Sequence, residues 1–396
     1  MNYQKLVVRI TTRIFPDPFG GGPSKHSYYL SKYTSGNGIK IINISCLPIS
    51  KKKRIEKIHS DFEIHYLPFH AIDLNNKNIF TQISFALKFL IFSLKELFSI
   101  ILKEKINLIH SHHPPLNGIP AFIFKILFRI PYIYTYHGLE FKNSIEKLIC
   151  FKVIHNNANL IIAISEKIKK FFLKANFVKK LPIIVMPNGI EILESSKCNT
   201  EKIEFLQYLP DNAIIVTYIG YMNFKQKVRG MIDFLRAFQN FLRELESKNR
   251  QQYFLIFVGD GPFKKLLESA LEKMPYPEQV LLLGQRNDVP NIISISRLTA
   301  LTSYIEGFPN VLLESMISHV PCIATDVGDV KRIIGDSGFL VKPGNVKEMQ
   351  QALNQFFMNP LLEKELKEKA YNQIITNYTW RKISLKMQKL YKKMGL

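Results

Sequence analysis

Residues 298–314 read LTALTSYIEGFPNVLLE, and the fold follows from how this stretch is punctuated. Its first five residues form an apolar, strand-like run. A short loop with Ser303 and Glu306 comes next. A helix is then expected to begin near Pro309 or Asn310. A strand feeding a helix through a short loop is one step of a βαβ series.

Outward from this stretch the same alternation recurs. Strand-like runs occupy 5–10, 39–45, 63–67, 106–111, 132–136, 160–165 and 183–186, then 213–219, 253–258, 280–283, 298–302, 322–325 and 338–341. Runs this apolar predict strands buried on both faces, hence parallel sheets with helical crossovers. Two consecutive series imply two doubly wound, Rossmann-like α/β domains, as 396 residues allow. The boundary is placed after the last strand of the first half, giving domains 1–194 and 195–370. Residues 371–396 read as a terminal helical segment with the only tryptophan, Trp380.

The charge is uneven. Residues 1–200 carry 28 lysines and arginines against 12 acids, whereas residues 201–396 carry 26 against 20. A basic field attracts polyanions: nucleic acid, anionic lipid or a phosphorylated substrate. No nucleic-acid motif accompanies it. Cys46, Cys150, Cys198 and Cys322 lie far apart, without zinc-ligand or redox spacing, so a reducing compartment is expected. The first fourteen residues read as a short strand rather than a signal peptide. The greasiest stretch, 79–106, is interrupted by Lys88, Lys95, Glu96 and Lys103, against a transmembrane helix.

Several polar or glycine-rich points follow predicted strands, where ligands bind in parallel α/β sheets. Gly20-Gly21-Gly22, after the first strand and before a helix, lets backbone amides approach an anion. It is neither G-x-G-x-x-G nor a Walker A loop, and a plain glycine turn is the alternative. His137-Gly138 ends a strand. His110-Ser111-His112-His113 ends the one before, but no nearby carboxylate or cysteine completes a metal set, and no metal is expected. The most specific signal is Glu306-Gly307-Phe308-Pro309-Asn310 with Glu314. The helix start offers free amides to phosphate or sugar oxygens. Glu314, about one turn in, is placed to accept two ribose hydroxyls, and Glu306 to grip a sugar hydroxyl. Two solvated surface acids are the alternative.

Two glutamates separated by seven residues, in Ser-x-x-Glu-Gly-Phe-Pro-Asn-x-x-x-Glu, resemble the signature of glycosyltransferase family four. The rest follows in family order. Gly21-Gly22 resembles the N-terminal glycine loop, and His137-Gly138 the strand-end His-Gly. Ile164-Ser165-Glu166 resembles Val-Ser-Glu, and Pro187-Asn188-Gly189-Ile190 the motif before the linker. Gly259-Asp260-Gly261-Pro262 and Tyr378-Thr379-Trp380 are similar too, so the resemblance covers nearly the whole chain.

The resemblance implies a GT-B fold: an acceptor-side N-terminal domain and a donor-binding C-terminal domain facing across a cleft, with the terminal helix crossing back. It implies a hexosyl transfer that retains anomeric configuration and needs neither cofactor nor metal, the nucleotide-sugar being a co-substrate. Glu314 would bind ribose. Glu306 and the amides of Gly307–Asn310 would hold donor sugar and phosphate, and His137 would lie at the reacting face. No general base is assigned. The family's arginine after the first strand of the second domain is missing, since Gly220 is followed by Tyr221. Arg229-Gly230 stands where Lys-Gly is usual, which makes Arg229 the expected main cation on the diphosphate; Lys225 and Lys227, which lie between, are expected to bind the donor and supply the absent charge, solvated loop lysines being the alternative. Gly328-Asp329 replaces a common Gly-Gly.

Competing readings are an epimerase or phosphorylase of the same fold, an inactive partner subunit, and a nicotinamide oxidoreductase. The missing G-x-G-x-x-G counts against the last. The expected acceptor is a glycan or a lipid-linked sugar of the cell envelope, with UDP- or GDP-sugar as donor. The basic N-terminal half, its 51–54 run, and the apolar, lysine-spaced stretches 79–106 and 121–130 suit peripheral docking on the cytoplasmic face of an anionic plasma membrane. Core-facing crossover helices are the alternative for those stretches.

Overall fold

A computed structural model describes the chain except residues 1–4, 16–20, 49–53, 73–77, 140, 142–143, 176–178 and 193–202. Gly20, the lysines of the 51–54 run, Cys198 and the expected boundary at 194 lie outside the described residues. Two compact units emerge: residues 1–189 with 380–396, and residues 190–379.

The first unit runs β1 (Lys5–Ile10), α1 (Gly21–Thr34), β2 (Ile39–Cys46), β3 (Ile55–His59), β4 (Phe62–Leu67), α2 (Ile79–Ile101), β5 (Ile106–His112), α3 (Gly118–Phe128), β6 (Tyr132–Tyr136), α4 (Ser144–Leu148), β7 (Leu160–Ala163), α5 (Glu166–Lys174) and β8 (Ile183–Val185). Its sheet is ordered β3-β4-β2-β1-β5-β6-β7-β8. All pairs are parallel except β3 with β4. The order reverses between β1 and β5, which makes a crevice at their carboxyl ends. β3 is absent from the sequence reading. It is an edge strand whose side chains are all at least partly exposed, so it lacks the apolar run that marks the inner strands.

The second unit runs β9 (Ile214–Ile219), α6 (Lys225–Glu244), α7 (Ser247–Arg250), β10 (Tyr253–Val258), α8 (Lys264–Leu271), β11 (Val280–Leu282), α9 (Val289–Ser294), β12 (Leu298–Leu301), α10 (Asn310–Ile317), β13 (Cys322–Thr325), α11 (Val330–Ile334), β14 (Phe339–Val341), α12 (Val346–Phe357) and α13 (Pro360–Asn377). Its sheet, β11-β10-β9-β12-β13-β14, is wholly parallel and reverses order between β9 and β12.

The last helix, α14 (Trp380–Lys393), belongs to the first unit. The division falls at 379/380, not at the expected 370/371, because α13 packs on α10, α11 and α12 of the second unit. Trp380 stacks on Tyr29 at 5.8 Å and lies under Gly189, where a Cβ would come within 2.7 Å of the indole. At the other end, the Tyr391 hydroxyl is bonded to the buried Arg9 guanidinium at 2.9 Å and to His110 Nδ1 at 2.8 Å. Arg9, Asn43 and His110 sit side by side across β1, β2 and β5, so this helix caps a buried polar row.

Helix α2 carries two apolar stripes. Phe85, Phe89, Leu97 and Ile100 are buried. Phe80, Ile83, Leu87 and Ile91 recur at three- and four-residue spacing, Phe98 and Leu102 follow two turns on, and all six are exposed, Leu102 by 85%. On α3, which meets α2 through Phe98, Phe124 and Phe128, residues Ile126, Leu127 and Phe128 are exposed too. The crossover reading accounts for the first stripe only. Among the described residues no helix is long and apolar enough to cross a membrane.

Candidate active site

The carboxyl edge of the second sheet gathers most of the predicted donor residues. The 302–307 loop leaves β12 at the reversal point and is pinned from three sides. Tyr218 meets it through the Thr302 amide, which donates to the phenol oxygen at 3.0 Å. The Thr302 hydroxyl donates to the Gly230 carbonyl at 2.7 Å, and Thr325 donates to the Ser303 carbonyl at 2.5 Å. Gly230 explains how the first turns of α6 come so close, since a Cβ there would sit 2.1 Å from the Thr302 carbonyl oxygen. Gly328, at φ +59°, plays the matching part from β13: a Cβ would sit 2.4 Å from the Glu306 carbonyl oxygen. The Asp329 amide then donates to the Gly307 carbonyl at 3.0 Å. The aspartate that departs from Gly-Gly is buried, with Arg332 3.8 Å from its carboxylate.

Into this frame Glu306 brings a carboxylate that is 9% exposed. Lys227, in the first turn of α6, holds it at 3.2 Å. Arg229 is two residues on and exposed, and its guanidinium lies 4.7 Å over the Tyr304 ring. The Tyr304 hydroxyl donates to Asp233 at 2.7 Å. Burial, with Asp233 beside it, raises that phenol's pKa. Thus Lys227, rather than Arg229, meets Glu306. Lys225 is exposed and leans on Phe263 at 5.9 Å, and Tyr221 is 63% exposed.

Helix α10 begins at Asn310, with Pro309 as its cap residue and no side-chain cap bond. A proline ring offers no acceptor, so the first amides of the helix have no capping side chain from that position. A Cβ on Gly307 would meet nothing within 4 Å, which leaves open space beside the loop. Glu314 follows one turn into the helix and is half-buried. The Phe308 ring is buried against Tyr378 at 5.8 Å and Pro309 is buried as well, so these two offer backbone rather than side chain.

The first unit holds Gly21, Gly22 and His137. Helix α1 starts at Gly21, and His137 follows β6 and is partly exposed. His112, at the end of β5, lies with Nδ1 3.1 Å from His137 Nε2. His26 on α1 was not singled out by the sequence reading. It stands edge-on to His137 at 4.9 Å and is bonded through Nδ1 to Asn188 Oδ1 at 2.8 Å. Its signal is its place on the helix that follows the glycine loop. Burial holds His26, His112 and His137 below the ordinary histidine pKa, His26 at about 4, so the trio is neutral near pH 7. Two further motifs make local contacts. Ser165 caps α5 by accepting from the Ile168 amide at 3.3 Å, and Asn188-Gly189 seats His26 and Trp380.

Two family models match the chain. Glycosyltransferase Family 4 covers residues 20–192, and Glycosyl transferases group 1 covers residues 199–373. The chain belongs to the group 1, family 4 glycosyltransferases. This glycosyltransferase is 24% identical over 393 residues to N-acetyl-alpha-D-glucosaminyl L-malate synthase of Bacillus anthracis, covering 94% of each chain. It is 25% identical over 313 residues to UDP-Gal:alpha-D-GlcNAc-diphosphoundecaprenol alpha-1,3-galactosyltransferase of Escherichia coli, covering 76% of this chain and 78% of that one. The solved structure of Anabaena Alr3699/HepE in complex with UDP and glucose matches with a TM-score of 0.72 at 18% identity, over 98% of this chain and all of that one. The fold is GT-B. The epimerase, phosphorylase and inactive-subunit alternatives are not favoured by these likenesses.

Proposed function

We propose that this glycosyltransferase moves a hexose, with retention of anomeric configuration, from a nucleoside diphosphate sugar to a lipid-linked or envelope-glycan acceptor. The observation that carries the reading is the Lys227–Glu306 pair at the reversal point of the second sheet, 3.2 Å apart on a nearly buried carboxylate. A carboxylate this enclosed needs a partner. An arriving diphosphate draws Lys227 to itself, and a donor-sugar hydroxyl replaces the ammonium on Glu306. Lys227, Arg229 and the α10 amides then stabilise the leaving diphosphate without a metal. Glu314 accepts the ribose hydroxyls, and His137 faces the reacting sugar. The UDP and glucose of the Anabaena neighbour and the diphosphoundecaprenol in the name of the E. coli relative support this choice of donor and acceptor class.

The test is incubation with UDP-, GDP- and ADP-sugars and a polyprenyl diphosphate-linked sugar, with the anomeric configuration of the product read by NMR. One donor should give an α-linked product from an α-donor. Inversion, or turnover of the donor without acceptor into an epimer, would refute the reading.

Acceptors of this kind lie at a membrane. The exposed stripe from Phe80 to Leu102 with Ile126–Phe128, flanked by Lys88, Lys95 and Arg129, suits peripheral docking of the first unit on an anionic surface. The protein should sediment with anionic vesicles and not neutral ones, and high salt should release it. A combined Phe80→Ser, Ile83→Ser, Leu87→Ser variant should stay in the supernatant. Equal recovery of the wild type with both vesicle types would remove membrane docking from the account.

A further inference from the structure

The histidines at the reversal point of the first sheet are arranged as ligands. One ring nitrogen from each of His26, His112 and His137 lies within 4.8 Å of the other two. Within the trio, His112 Nδ1 and His137 Nε2 are 3.1 Å apart. Two nitrogens bound tetrahedrally at a metal–nitrogen distance of about 2.0–2.1 Å stand about 3.3 Å apart. With the ring protons on His112 Nε2 and His137 Nδ1, both atoms of that pair present lone pairs. His26 is set in the same way. Its Nδ1 is taken by the Asn188 carboxamide oxygen at 2.8 Å, which fixes the proton there and leaves Nε2 as the free lone pair. That Nε2 is buried and has no hydrogen-bond partner. A histidine that donates its second nitrogen to a carbonyl-type oxygen is the usual metal-ligand arrangement.

We infer that His26, His112 and His137 form a three-imidazole site for a borderline divalent metal such as Zn2+, Ni2+ or Co2+, with a water as fourth ligand and Asn188 as its outer-shell support. Burial supplies the neutral imidazoles that coordination requires. The Arg9 guanidinium is close enough to oppose positive charge on His26 and His112. No carboxylate belongs to the trio, so nitrogen coordination rather than charge attraction selects the ion, favouring Zn2+ over Mg2+ or Ca2+. Partly exposed His137 gives the ion its way in. The bound ion would tie α1 to the carboxyl ends of β5 and β6 and stabilise the first unit by linkage. Of the three ligands, His137 is shared with the transfer site proposed above.

The experiment is titration of the metal-free full chain with Zn2+ by calorimetry and with Co2+ by visible absorption. One equivalent should bind, with the intense visible bands of tetrahedral Co2+ and a raised melting temperature in Zn2+. Asn188→Ala should weaken binding by roughly 10–100-fold. His26→Gln should abolish the one-equivalent phase, and His319→Ala, an exposed histidine of the second unit, should leave it unchanged. Far-UV circular dichroism checks the fold of each variant, and Asn188→Ala answers the question if His26→Gln unfolds. Undiminished binding in both variants, or the weak bands of octahedral Co2+, would overturn the site. Because the readout is binding alone, its failure is distinct from failure of the transferase reading.

Discussion

The two sheets reverse order in the same way, yet they furnish their carboxyl edges with opposite chemistry. In the first unit the crevice is lined by neutral imidazoles: His112 against His137 at 3.1 Å, with His26 seated on Asn188. In the second it is lined by charge: Lys227 on Glu306 at 3.2 Å, and Arg229 over Tyr304. Fold alone therefore does not dictate the ligand. One edge suits uncharged hydroxyls or a nitrogen-loving metal, whereas the other offers what a sugar diphosphate needs.

Removing the charge from the second edge has the largest expected effect. Glu306→Gln and Lys227→Ala should each lower turnover by about 100-fold or more, the scale of a lost transition-state contact. Glu306→Gln should do so with little change in nucleotide affinity, because its partner is the sugar. Steady-state kinetics beside nucleotide titration separates the two effects. A parallel fall in nucleotide affinity for Glu306→Gln would move Glu306 from the sugar to the diphosphate.

Acid should sharpen the contrast. His26, His113 and His155 are pushed down by burial to about 4, and His110, His112 and His137 are driven well below 6.5 for the same main reason. Between pH 6.5 and about 4 the unfolded chain binds protons that the folded first unit refuses. The stabilisation is complete above pH 6.5 and is lost as pH falls toward 4, by about 1.4 kcal/mol per histidine for each pH unit. The second unit has one histidine, His319, and it is exposed. Hydrogen exchange at pH 5 against pH 7, corrected for intrinsic rates, should show opening at 106–112 and 132–136 while 214–219 and 298–301 stay protected. Equal loss in both units would mean that the histidines do not control acid stability.

The smallest effect belongs to Lys225. Exposed and resting on Phe263, it should change donor KM by less than about threefold when replaced by alanine, as expected for a solvated surface charge. A larger change would make it the substitute for the arginine missing at Tyr221.

Most of the fold was legible because inner strands of a parallel sheet are continuous apolar runs, and thirteen such runs fall on observed strands. β3 escaped because an edge strand carries charge. The end of the second unit was misplaced because α13 and α14 are both lysine-rich helices, and only packing assigns them to different units. At the site, Glu306 and Glu314 were legible from their spacing along one loop and helix. The Lys227–Glu306 pair was not, since its partners lie 79 residues apart and meet only where Gly230 lets α6 touch the end of β12. His26 was hidden likewise, on a helix remote in sequence from the strands it faces. The second apolar stripe of α2 could be suspected from composition, but which side was covered depended on the sheet.

In the proposed reaction the second unit holds the donor nucleotide. Calorimetric titration of UDP and GDP into the wild type and Glu314→Ala tests this most directly. One nucleotide should bind at one equivalent, and the variant should lose about 1.5–3 kcal/mol, roughly 10- to 150-fold in affinity, the range of a charge-assisted hydrogen bond, with its melting temperature unchanged in the absence of nucleotide. Identical affinity in the two proteins would contradict the placement of the nucleotide on α10.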